Sequence, residues 1–181
     1  MRLTKLGLTR LGFVGFCLCL ASSAAADAPD RTADCLDLKN LSPPSRIDTC
    51  QSLLASGTLT QDETRKAMHG LGVAYAQKGD FTVAITTFTK ILSTYPDDAE
   101  DYLSRGAAYL ATGKKDLGLA DYDRAVALQP KHSYLLRANA YFHLGKYDLA
   151  LADCDAELKL DPADDVAKKL RDQVQAHLDG L

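Results

Sequence analysis

The side chains in this sequence that could do chemistry are four histidines, a few cysteines and two close pairs of aspartates. His69, His132, His143 and His177 are the candidates for metal ligation or proton transfer. No two of them stand four residues apart, the spacing that sets a pair of imidazoles on one helix face for a metal ion. Asp121 with Asp123, and Asp153 with Asp155, have the form of paired catalytic carboxylates, but the second pair repeats the first 32 residues on. Charges that recur with a repeat read as solvated helix faces. Neither G-x-S-x-G, H-E-x-x-H nor a glycine-rich phosphate loop occurs. No catalytic residue, cofactor-binding residue or metal ligand is assigned, and the chain is not expected to be an enzyme.

The cysteines divide by position. Arg2, Lys5 and Arg10 precede an apolar run from Leu11 to Leu20, and Ala24, Ala25 and Ala26 follow. A basic start, a short apolar stretch and small residues make a secretory signal peptide. The run is shorter than the ~20 apolar residues a bilayer span needs. Cys17 and Cys19 follow Phe16 and Leu18, where a lipoprotein signal would want a small residue. Residues 1–26 are therefore read as a signal peptide cleaved after Ala26, and the protein as periplasmic or secreted, with no integral membrane segment after cleavage. Loss of the leader removes three basic residues and no acid, taking the net charge from −3 to −6. That disfavours nucleic acid and anionic lipid as partners. Cys35, Cys50 and Cys154 remain, in a compartment where disulfides persist. Cys35 and Cys50 flank Pro43 and Pro44; their bridge would close a loop of ~15 residues and stabilise by roughly 3 kcal/mol. That is the expected disulfide, and Cys154 is expected as a small buried side chain.

What must position all of these is a repeat. Gly72, Tyr75, Gly79 and Pro96 are followed 34 residues later by Gly106, Tyr109, Gly113 and Pro130, and after a further 32 by Ala138, Tyr141, Gly145 and Pro162. A fixed period of this size marks stacked units. Met68, Gly72 and Tyr75 lie on one helical face, as do Tyr102, Gly106 and Tyr109, and Tyr134, Ala138 and Tyr141. A second helix follows in each unit, with the apolar stripe Phe81, Ala84, Ile85, Phe88, Ile91 and Leu92 in the first. Small residues on both helices permit close approach. The glycines end the first helices in a left-handed conformation, and the prolines stop the second helices.

These columns resemble the tetratricopeptide repeat over residues 65 to 162. The resemblance implies an all-α, right-handed solenoid of helical hairpins, with units at 65–98, 99–130 and 131–162. Before them, in 27–64, the segment 46–54 repeats the second-helix phrase and reads as a half-repeat. After them, in 163–181, Val166, Ala167, Leu170, Val174 and Leu178 form an amphipathic capping helix. Three positions depart from the pattern: Arg105 where Leu71 stands, Lys115 where Phe81 and Tyr147 stand, and Glu157 where Ala125 stands. Two residues are missing after Pro130, which should shorten the third unit's first helix.

In this family the first helices line a concave face. Its positions correspond here to His69, Val73, Ala76 and Gln77, then Leu103, Ala107, Leu110 and Ala111, then Leu135, Asn139, Phe142 and His143. Val73, Leu103, Leu110, Leu135 and Phe142 give an apolar floor, which should be covered by something. The resemblance implies a protein–protein interaction module, an adaptor or assembly factor of the cell envelope, taking a peptide or amphipathic helix of another protein. The alternative is a structural, self-associating protein whose groove is covered by residues 27–44, by the C-terminal helix or by a second copy in a homodimer. Relatives that grip a chaperone's C-terminal carboxylate use Lys and Asn where His69 and Val73 stand, so that mode is not expected. Successive first helices lie ~10 Å apart, so His69 and His143, two units apart, cannot share an ion; His143 and His177 fall on neighbouring helices.

Overall fold

The computed structural model describes residues 32–36 and 41–180. The expected leader, 1–26, lies outside the described residues. Within them the chain forms nine helices and no strand: α1 (Ala33–Leu36), α2 (Pro43–Ala55), α3 (Gln61–Lys78), α4 (Phe81–Thr94), α5 (Ala99–Ala111), α6 (Lys115–Leu128), α7 (Pro130–His143), α8 (Tyr147–Leu160) and α9 (Asp165–Leu178). Three hairpins, α3/α4, α5/α6 and α7/α8, stack in chain order; α2 packs before the first and α9 after the last. No described helix is long and apolar enough to cross a membrane.

Local chemistry sets the boundaries. Thr60 and Glu63 form a reciprocal capping box at the start of α3, and Asp98 and Asp164 cap α5 and α9 through their carboxylates. Gly79, Gly113 and Gly145 turn the chain between paired helices with φ of 92°, 77° and 71°, where a side chain would be strained. Tyr95, Gln129 and Asp161 precede the three prolines and have left the helical region, with φ of −124°, −143° and −137°, because a following proline disfavours it.

The small-residue columns serve two different contacts. A Cβ on Gly106 would lie 3.0 Å from the Gly118 carbonyl oxygen, and one on Gly118 would lie 2.9 Å from that of Gly106, so the second hairpin packs backbone on backbone. In the first hairpin a Cβ on Gly72 would meet the Phe88 ring at 2.7 Å instead. Phe88, Tyr122 and Cys154 share one repeat column and are all buried, and Cys50 occupies the same column in α2. Cys35 and Cys50, with Cα atoms 5.0 Å apart, meet in a geometry compatible with a disulfide. Together with Ala67 they form the small core beneath α2, where no first helix of a full unit is available to fill the space.

The two-residue deletion has the expected effect and an unexpected compensation. Lys131 and His132 are non-helical, His132 at φ 67°, so regular helix begins only at Ser133. The Glu157 side chain, fully buried, accepts the His132 backbone N–H on both carboxylate oxygens at 2.9 Å. It supplies at α7 the cap that Asp98 supplies at α5.

Candidate functional site

The first helices α3, α5 and α7 lie side by side, and two hollows open along them. A cavity of about 460 Å³ between α3 and α5 is lined by Arg65, Lys66, His69, Gly70, Val73, Glu100 and Ser104. A second of about 440 Å³ lies between α5 and α7 over α6, lined by Ala107, Leu110, Lys115, Tyr122, Leu136, Asn139, Ala140, His143 and Leu144.

Six of the groove positions anticipated from sequence line these hollows: His69 and Val73 the first, Ala107, Leu110, Asn139 and His143 the second. Leu103 is half-buried and lines neither. Gln77 is exposed and accepts a hydrogen bond from the buried Arg46 guanidinium. Ala76 packs against the first hairpin's core, while Ala111 is exposed. Leu135 and Phe142 are drawn into the core of the third hairpin. The Phe142 ring lies 5.7 Å from that of Tyr147 and 5.0 Å from that of His177 on α9. The anticipated apolar floor is thus partly consumed by the protein's own packing. What stays exposed at the anticipated positions is small or polar: Gln77, Ala107, Ala111, Asn139 and His143.

Other lining residues escaped the sequence reading. Gly70, Ser104 and Leu136 form one repeat column, three residues before Val73, Ala107 and Asn139 and hence on the same helix face. Leu136 is 44% exposed, a large apolar side chain left in the open hollow. Arg65, Lys66 and Glu100 add charge to the first hollow.

His69 joins the first two units. Its Nδ1 bonds the buried Asp101 at 2.8 Å, and its Nε2 lies 3.4 Å from Glu100. Burial pulls the imidazolium pKa down, but the bonds to Asp101 and Glu100 outweigh it and raise the pKa to about 9. A ring held protonated at neutral pH is a poor general base; here it fastens α3 to α5.

Tetratricopeptide repeat patterns match residues 66–98 and 103–165, together just over half of the chain. The chain belongs to the tetratricopeptide repeat family. Among curated proteins it is similar to superkiller protein 3 of Saccharomyces cerevisiae, 30% identical over 63 residues, which is 35% of this chain and 4% of that protein. Among solved structures it resembles the first TPR domain of Spaghetti (RPAP3) bound to the HSP90 peptide SRMEEVD. The two are 26% identical with a TM-score of 0.57, over 63% of this chain and 92% of that one. A thermophilic TPR protein of Thermus thermophilus has the same fold, with a TM-score of 0.63 at 22% identity, over 75% of this chain and 73% of that one.

Within this TPR array the remaining histidines take up other positions. His143 and His177 stand against Phe142, at 5.7 and 5.0 Å between ring centroids. Among the described residues, His132, Glu157 and Asp164 bring one ligand atom each within 4.8 Å of one another. Glu157 is engaged by the His132 N–H, and Asp164 by the N–H groups of Val166 and Ala167. The cluster is two helix caps meeting at one point.

The aspartate pairs correct the sequence reading. Asp123 is exposed, but Asp121 and Asp153 are buried, each at 6% exposure. Arg105 and Arg137, placed where the first unit has Leu71, reach across from the first helices and hold them with paired bonds of 2.8 Å. A charge that finds such a fork can be buried.

Proposed function

We propose that this TPR protein is an exported adaptor or assembly factor, and that its first-helix face holds a peptide or helix of another protein. The observation that carries this reading is the pair of hollows opening in succession along α3, α5 and α7, with exposed Ala107 and Asn139 in the second. A row of cavities on rigid helices suits a ligand laid across several units. TPR repeats are in general interaction modules without catalytic activity, and the similar RPAP3 domain was solved with a bound peptide. That peptide's identity does not carry over, since His69 and Val73 stand at the positions that would have to grip its terminus. Export rests on the leader at 1–26, and an envelope location follows from it.

In-cell cross-linking and affinity capture of the tagged full-length chain tests the reading. A single enriched partner should be lost when Ala107→Arg and Asn139→Arg crowd the face, with helix content unchanged. Both substitutions retaining it would move the site elsewhere. The captured chain should begin at Asp27. Recovery of only this protein, as a dimer that the same substitutions dissociate, would favour the self-associating alternative.

A further inference from the structure

The second hollow lies where the middle unit lacks an aromatic ring that its neighbours have. Phe81 opens α4 and packs on the first hairpin's core; Tyr147 opens α8 and packs against Phe142. The same column in α6 holds Lys115, which is exposed and lines the hollow. Gly118 adds to the vacancy. A Cβ there would lie 2.8 Å from Leu110 Cγ, so the glycine lets Leu110 lie down against α6. What remains is about 440 Å³, within the range of cavities that take a ligand side chain.

Its electrostatics are one-sided. Lys115 makes no ion pair with any described residue, and no acidic residue lines the hollow; the other lining residues with polar side-chain atoms are Tyr122, Asn139 and His143. The first hollow differs, because Arg65 and His69 there are already bonded to Asp98 and Asp101. An apolar wall of Leu110, Leu136 and Leu144 beneath an unpaired ammonium suits an apolar side chain with a carboxylate beside it.

We propose that this hollow is the anchor subsite of the partner-binding face, taking an aromatic or large aliphatic side chain of a peptide whose adjacent carboxylate meets Lys115. The proposal rests on the groove reading above and names the partner chemistry that the reading leaves open. The occupant supplies from outside the ring that Phe81 and Tyr147 supply from within.

The test is a titration of the isotope-labelled mature chain with N-acetyl-phenylalanine and with its uncharged amide, followed by NMR. A ligand of this size should bind at about millimolar Kd, shifting Leu136, Asn139 and His143 together. The amide should bind roughly 5-fold more weakly. Lys115→Tyr, which restores the ring of the neighbouring units, should abolish the shifts while keeping the fold, checked by its retained amide spectrum. Lys115→Met should keep binding but lose the preference for the acid over the amide. Saturable shifts elsewhere, none at 10-fold above about millimolar, or unchanged binding in Lys115→Tyr would overturn the proposal. Capture of the cellular partner separates the two readings. A partner lost in Ala107→Arg but kept in Lys115→Tyr leaves the groove standing and removes the anchor.

Discussion

Arg137 holds Asp153 through two parallel hydrogen bonds, Nε to Oδ2 and Nη2 to Oδ1, each 2.8 Å long. Its third nitrogen, Nη1, reaches back to Asp123 of the preceding hairpin at 2.6 Å. Arg105 repeats the pattern one unit earlier, gripping Asp121 and reaching Thr89 at 3.2 Å, and Arg171 on α9 reaches Asp155 at 2.7 Å. The result is a ladder in which each arginine of a first helix ties its own hairpin to the one before. The bond to Asp153 raises the already high pKa of Arg137, so the guanidinium stays charged at any working pH. The first unit uses Leu71 and Thr87 in the same two columns.

That internal substitution pattern makes the pair testable. Arg137→Ala strands a nearly buried carboxylate and should cost roughly 3 kcal/mol in urea denaturation. Arg137→Leu combined with Asp153→Thr installs the first unit's combination and should recover most of that loss. A double variant as weak as Arg137→Ala would mean that the two solutions are not interchangeable in this fold.

The His69 contact gives a pH dependence with a definite direction. Its folded pKa of about 9 lies above the unfolded value of 6.5. Its contribution to stability is therefore fully present below about pH 6.5 and is lost as pH rises through about 9. The whole effect is about 3 kcal/mol at most, from the free energy per pKa unit. Melting temperature should fall across that window in the wild type and stay flatter in His69→Gln. An NMR midpoint for His69 near 6.5 would show that the bond to Asp101 does not hold the proton.

The hairpins were legible in the sequence because glycine turns, proline stops and aromatic columns are local signals repeated three times. The ladder was not, although Arg105 was visible as a departure. A bidentate pair depends on the 16-residue offset between Arg105 and Asp121, which means nothing until the hairpin is closed. Phe142 shows the other limit. It stands at a groove position by register, but α9 brings His177 against its ring, and a capping helix's contacts follow from no repeat. Glu157 likewise stood only as a departure from Ala125 until the shortened start of α7 placed the His132 N–H beside it.

Cys35 and Cys50 should be linked in the protein purified without reductant, and non-reducing peptide mapping should recover that pair. Reduction should cost roughly 3 kcal/mol for a loop of this length. Cys154 is buried, and burial pushes its thiol up to about 11, so it should resist maleimide until the chain unfolds. A Cys35–Cys154 peptide, or rapid labelling of native Cys154, would contradict the packing described.

Gly118→Ala sets helix propensity against packing. Alanine is what Ala84 and Ala150 supply at this column, and it favours a helix interior by about 1 kcal/mol over glycine. A Cβ at Gly118, however, would stand 2.8 Å from Leu110 Cγ and 2.9 Å from the Gly106 carbonyl oxygen. Leu110 is a side chain and can rotate, whereas the carbonyl belongs to α5 and moves only if the two helices separate. The third hairpin carries Ala150 opposite Ala138, where the second has Gly118 opposite Gly106. Separating α5 and α6 enough to admit the Cβ should cost about 1–2 kcal/mol net, read as a lower midpoint in thermal denaturation. A raised midpoint would mean that propensity wins and that the backbone contact between Gly106 and Gly118 is slack.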